Sequence, residues 1–177
     1  MLSRLLLWFA IALLSLRSAS AQPGSTVAQH VPDNCPVTKQ FQTSLFVPPF
    51  PYPATPGSPP DRFWFGSDRL WTLLPADGIW GGSPRPAGSN RPYEDKLFYW
   101  RAGYNARLEQ QPPLTVIGKR LNAPAPPVLT DEQATNGWHT PDQPFMLTRI
   151  TVPTPGCWQI TARYKDDELS FVVWVDY

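Results

Sequence analysis

Proline constrains this chain more than any other residue. All 23 prolines follow residue 21. A proline removes a backbone donor and clashes with the preceding turn inside a helix, so long helices are excluded and short strands between turns are favoured. From Pro48 to Pro60, seven of thirteen residues are proline. Such a stretch is expected to be extended or polyproline-like, lying over the domain or forming a loop. A rigid connector is favoured there over a recognition peptide for another protein.

The clearest strand signal is at the C-terminus. Trp158, Ile160, Ala162 and Tyr164 alternate with Gln159, Thr161 and Arg163. After the polar run Lys165-Asp166-Asp167-Glu168, Leu169, Phe171, Val173 and Val175 alternate with Ser170, Val172, Trp174 and Asp176. Period-two alternation on both sides of a short charged loop predicts an antiparallel β-hairpin. Val172 and Trp174 make the second arm apolar on its other face as well, which predicts a central or covered strand.

The N-terminus reads as a targeting segment. Met1 to Arg4 give a positive start, Leu5 to Leu16 a run of twelve that is apolar but for Ser15, and Ala19-Ser20-Ala21 a cleavage signal before Gln22. A run of twelve falls short of the ~20 apolar residues a bilayer span needs. Removing residues 1–21 leaves 156 of the 177 residues. Arg4 and Arg17 leave with them, so the formal charge goes from +1 to −1. A near-neutral chain is not built to capture nucleic acid or an anionic membrane by charge. Neither nucleic acid nor stable membrane insertion is expected after cleavage, and the protein should be extracytoplasmic, periplasmic or secreted. In that oxidising setting the two cysteines, Cys35 and Cys157, are expected to form one disulfide.

Residues 22–34 read as a flexible lead-in and 35–177 as the folded domain. Strands are expected over 41–47, 62–66, 70–74, from 79, and over 96–101, 114–121 and 145–152, with the hairpin last. The 96–101 strand is bulky on both faces. Pro75-Ala76-Asp77-Gly78 is a turn with Gly78 suited to a positive φ, and 81–92 is an exposed loop. Residues 129–136 are expected to hold one helical turn with Thr130 as N-cap and Gln133 three residues on. Seven to nine short strands separated by turns predict a two-sheet antiparallel sandwich.

Pro155-Gly156-Cys157-Trp158, followed by a polar turn and Leu169-Ser170-Phe171-Val172-Val173, resembles the closing hairpin of immunoglobulin-like modules. The chain also resembles a group of uncharacterised secreted bacterial proteins. The residues that carry this are Cys35-Pro36, then Leu70-Trp71 with Leu74-Pro75 and Asp77-Gly78, and the stretch from Gly118 through Arg120-Leu121-Asn122-Ala123 to Pro127. The resemblance implies an exported, all-β, immunoglobulin-like antiparallel sandwich with long Pro-rich loops, and it brings no activity with it. One departure stands out: Cys157 sits at the start of its strand, so the bond would staple the N-terminal segment to the sandwich instead of crossing its centre.

Catalytic signals are sparse. There is no G-x-S-x-G elbow, and the two histidines, His30 and His139, fall in the lead-in and a loop. Two isolated histidines do not make a three-ligand zinc site without remote carboxylates; the carboxylates at 94–95, 131–132 and 166–168 sit at element ends, where solvated charge is expected, and the last group lacks EF-hand spacing. No glycine-rich phosphate loop occurs, and no cofactor or metal is implied. Seven tryptophans follow residue 21, most within strand patterns that point to the core. Trp80 and Trp138, at or beside loops, are the candidate ligand platform. The expected function is that of a non-catalytic binding or envelope-associated module with a protein or glycan partner. A carbohydrate-binding module using exposed tryptophans is the alternative, and an unrecognised hydrolase comes third.

Overall fold

A computed structural model describes residues 30–42, 46–57, 61–81 and 91–176. The expected targeting segment, residues 22–29 of the lead-in and most of the 81–92 loop lie outside the described residues. Ten strands occur among the described residues: β1 (Arg62–Ser67), β2 (Leu70–Pro75), β3 (Ile79–Gly81), β4 (Tyr93–Trp100), β5 (Leu114–Arg120), β6 (Leu129–Thr130), β7 (Thr135–Trp138), β8 (Pro144–Val152), β9 (Gly156–Tyr164) and β10 (Asp167–Asp176). They form two sheets. The first runs β1-β2-β4-β8, with β6 and β7 both paired to β8; the second runs β3-β10-β9-β5. All pairings are antiparallel except that of β3 with β10.

The chain is therefore all-β, as its prolines require, and the sheets pack face to face. Alternation decides which side chains meet between them. The second sheet sends in Trp158, Ile160, Ala162 and Tyr164 from β9, and Leu169, Phe171, Val173 and Val175 from β10. The first sheet answers with Phe63, Leu70, Leu74, Leu97, Tyr99, Met146, Ile150 and Val152. Each large side chain buried in this way contributes about 1.5–3 kcal/mol of transfer free energy.

The terminal hairpin forms in the expected register, with Trp158 opposite Val173 and Ile160 opposite Phe171. Its turn is tighter than the charged run implied. Asp167 and Glu168 already pair with Tyr164 and Arg163, leaving Lys165 (φ 54°) and Asp166 to make the reversal. β10 is central, between β9 and β3, and its outer face is also covered, because Val172 and Trp174 pack on Val31, Cys35 and Val37. Cys35 and Cys157 are bonded, with Cα atoms 5.6 Å apart across a sequence separation of 122. Thr38 extends the attachment: its N–H donates to the Val172 carbonyl (2.8 Å), and its hydroxyl accepts from the Val172 N–H (3.0 Å).

Two expectations need correction. The region 41–47 is not a strand where it is described; a single 3-10 turn occupies Gln40–Gln42, and the chain from Phe46 is irregular. The helical turn over 129–136 is likewise replaced by β6 and β7. Thr130 pairs with Ile150 and Thr135 with Leu147, so the edge of β8 supplies hydrogen bonds that outweigh a local cap. Between the two strands, the Asp131 carboxylate accepts from the Arg149 N–H (2.9 Å), filling a break in the ladder.

Candidate functional site

At one end of the first sheet the residues that alternate with the core set are also apolar, whereas Glu94, Lys96, Arg149 and Thr151 hold those positions at the other. Trp64 on β1, Trp71 and Leu73 on β2, Phe98 and Trp100 on β4 and Phe145 on β8 all point away from the second sheet and form a separate cluster. Left bare, such a face would be a large hydrophobic patch. Residues 46–57, the described part of the proline-rich stretch, lie across it as a strap.

Rings and carbonyls hold the strap in place. Phe46 and Tyr52 pack on Trp71 at centroid distances of 5.5 and 5.3 Å. The Trp64 indole N–H donates to the Pro53 carbonyl (3.0 Å), the Gln143 side-chain amide donates to the Pro51 carbonyl (2.6 Å), and the Tyr52 hydroxyl donates to the Pro144 carbonyl (2.9 Å). Burial, together with the negative charge of Asp142, pushes the Tyr52 phenol up to about 12. Trp71 is fully buried beneath the strap, and among the described residues its indole N–H has no hydrogen-bond partner.

The strap covers only part of the face. Beside it lies a cleft of about 510 Å³, walled on one side by Tyr52, Pro53, Thr55, Pro56 and Gly57 of the strap. The sheet supplies Trp64, Leu73, Phe98, Trp100 and Phe145, and the end of β7 with the turn that follows adds Trp138, His139 and Gln143. Its rings brace one another: Trp64 meets Trp100 edge-on at 5.1 Å, and Phe145 meets Phe98 at 5.2 Å and Trp100 at 5.8 Å. Gly137 opposite Phe145 makes this possible, because a Cβ there would come within 2.3 Å of the Phe145 ring. The turn is fixed by its backbone, the His139 N–H donating to the Gln143 carbonyl (3.1 Å) and the Gln143 N–H to the Thr140 carbonyl (3.0 Å). A rigid, mostly apolar concavity with a few polar groups is the usual form of a ligand pocket.

The two tryptophans singled out from sequence have different surroundings. Trp138 lines the cleft and is 51% exposed, so it offers a ring to solvent. Trp80 does not: it is 5% exposed, stacked on Tyr93 at 5.9 Å and edge-on to Phe171 within the core. Its neighbouring loop suggested exposure, but the parallel pairing of β3 with β10 turns the ring inward. His139 reaches the cleft, and among the described residues its ring makes no hydrogen bond to a carboxylate or hydroxyl. Sequence reasoning missed Trp64, Phe98, Trp100 and Phe145. Their signal was present, since each occupies the alternate position of a strand whose other face is already apolar.

Three carboxylates near the hairpin tip are held by cations. Asp167, buried, meets Arg69 at 2.5 Å and Arg101 at 3.3 Å; Glu168 meets Arg163 at 2.6 Å. Glu109 accepts from Lys165 and from the Tyr164 hydroxyl, each at 2.6 Å. Burial alone would raise the Glu109 carboxyl, but these hydrogen bonds outweigh it and hold the group below its ordinary value. Such pairing makes the hairpin tip an ion-pair network. No group of three or more histidine, cysteine or acidic side chains that could hold a metal occurs among the described residues. No helix among them is long and apolar enough to cross a membrane. No protein-family model, curated protein or solved structure matches the chain.

Proposed function

We propose that the protein is an exported, non-catalytic binding module whose ligand site is the aromatic cleft beside the strap. One observation carries this reading. Trp64, Phe98, Trp100 and Phe145 line an open concavity of about 510 Å³, although the chain already has a strap with which to cover that face. Rings fixed by one another offer contact area at little entropic cost, which suits recognition. Export is supported by the apolar leader with its small-residue cleavage signal and by the Cys35–Cys157 bond, since such bonds persist in oxidising compartments.

The strand order supports an immunoglobulin-like arrangement. β4, β8 and β6/β7 lie in one sheet and β10, β9 and β5 in the other, with the short β3 parallel to the last strand. That order parallels the two sheets of immunoglobulin-type sandwiches and agrees with the resemblance carried by Pro155-Gly156-Cys157-Trp158. In the second reading, a carbohydrate-binding module, the half-exposed Trp138 ring in the cleft is what favours a sugar.

Titration of the mature protein with a glycan panel and a panel of apolar and peptide probes, followed by tryptophan fluorescence, tests the proposal. A saturable change that Trp138→Ala weakens supports a ligand at the cleft. A response that survives Trp138→Ala and also survives a bulky Leu73→Trp substitution in the cleft wall places binding elsewhere and rejects it.

A further inference from the structure

Resting on the cleft being a binding site, we infer that its ligand is a proline-rich, extended peptide segment of a partner protein. The chain's own strap displays the chemistry. On this sheet face the bound segment carries Pro51, Pro53 and Pro56, and two of its proline carbonyls accept from side chains of the sandwich, Pro51 from Gln143 and Pro53 from Trp64. Two of its rings meet the Trp71 indole, Tyr52 edge-on and Phe46 tilted. Aromatic grooves that donate to the carbonyls of a proline-rich segment are a recurring recognition mode, because proline is already stiff and loses little entropy when bound.

The open cleft continues this intramolecular interface. The wall opposite its sheet rings is the strap, from Tyr52 to Gly57, so a second segment would lie alongside the first on the same rings. The polar complement also fits a peptide better than a sugar. The Trp64 indole, the Gln143 amide and the Tyr52 hydroxyl are already engaged with the strap and its surroundings. Trp138, His139 and Thr55 remain on the cleft, and among the described residues none of their side chains is hydrogen-bonded. A sugar presents several hydroxyls, each costly to bury without a partner, whereas a proline residue presents one carbonyl and no donor. A few donors among many rings match the second.

The test uses the mature protein and a synthetic peptide copying residues 47–57, with a control in which every proline is alanine. Isothermal titration with wild type, Trp138→Ala and Phe145→Leu is read beside near-ultraviolet circular dichroism, which reports whether each variant keeps its packing. The expected result is saturable binding of the proline peptide, about tenfold weaker for the alanine control and about tenfold weaker in Trp138→Ala. Equal binding of the two peptides overturns the inference. So does binding unchanged in both variants, which would mean the peptide has replaced the strap or sits elsewhere. If no peptide binds but a glycan does, in a way Trp138→Ala weakens, the inference falls and the binding-module reading stands. If neither peptide, glycan nor apolar probe binds, both fall.

Discussion

Pro53 and Trp64, eleven residues apart, are joined by a hydrogen bond of 3.0 Å from the indole N–H to the proline carbonyl. That contact ties the strap to the strand it leads into, and it turns the outer face of a sheet into one wall of a cleft. The chain is thus three-layered at this point, with second sheet, first sheet and strap in order. Beneath the strap both faces of the first sheet are apolar for that reason.

Trp64→Phe keeps a ring and removes the donor. It should lower stability by about 0.5–1.5 kcal/mol, the net value of one hydrogen bond. Limited proteolysis should cut within residues 46–57 sooner than in wild type, while denaturant unfolding reports the stability change. Unchanged strap proteolysis would mean the indole bond does not hold the strap.

Much of this was legible in the sequence. The C-terminal hairpin announced itself because one face of each arm is apolar and the other polar, apart from Val172 and Trp174. Those two marked the surface that Val31, Cys35 and Val37 cover. The disulfide followed from two cysteines in a chain whose N-terminus reads as an export signal, and Gly78 has the positive φ (75°) its turn suggested. The cleft was harder to see, because both sets of alternate residues in β4 are bulky, and period-two alternation cannot say what covers a second apolar face. Trp80 went astray because local polarity after it says nothing about a parallel partner 95 positions on, Val175. At 129–136 the capping signal was real but local, and pairing to β8 overrode it.

The Cys35–Cys157 bond closes a long loop and fastens the N-terminal segment to β10 and β9. Its loss should cost about 2–5 kcal/mol. Cys35→Ser and Cys157→Ser should lower the melting temperature by similar amounts, and the double variant should add little to either. Calorimetry of the three variants checks this, strongly additive losses being the contrary result.

Alkali should loosen the strap. Below pH 10 the Tyr52 phenol is protonated in both folded and unfolded chains, so its contribution is constant. Because its folded value is raised to about 12, the unfolded chain releases the proton first, and stability falls as pH rises from 10 towards 12. Tyr52→Phe should lessen the slope there, the raised Tyr99, Tyr104 and Tyr164 phenols keeping the rest of it, while costing some stability at pH 8 through the lost bond to Pro144. Denaturant titrations at pH 8 to 12 measure both. On the acid side the sign is opposite: Glu109, held below its ordinary value, contributes stability that is lost as pH falls through its folded pKa.

Gly137→Ala probes the cleft wall. A Cβ within 2.3 Å of the Phe145 ring forces that ring towards Phe98 and Trp100, at a cost of about 1–3 kcal/mol for an overpacked site. Near-ultraviolet circular dichroism should change, and any cleft ligand should bind more weakly. Wild-type aromatic signals and affinity in this variant would show that Gly137 does not set the position of Phe145.

The most direct test of the cleft is to observe its indoles one at a time. Seven tryptophans follow residue 21, and each gives one indole N–H resonance. On addition of the 47–57 peptide, the signals of Trp138, Trp100 and Trp64 should move together with a single saturation curve, while those of Trp80 and Trp158 in the sandwich core stay in place. Saturable shifts confined to indoles outside the cleft, or no shift at any of the three with any probe that binds, would contradict a ligand site on this face.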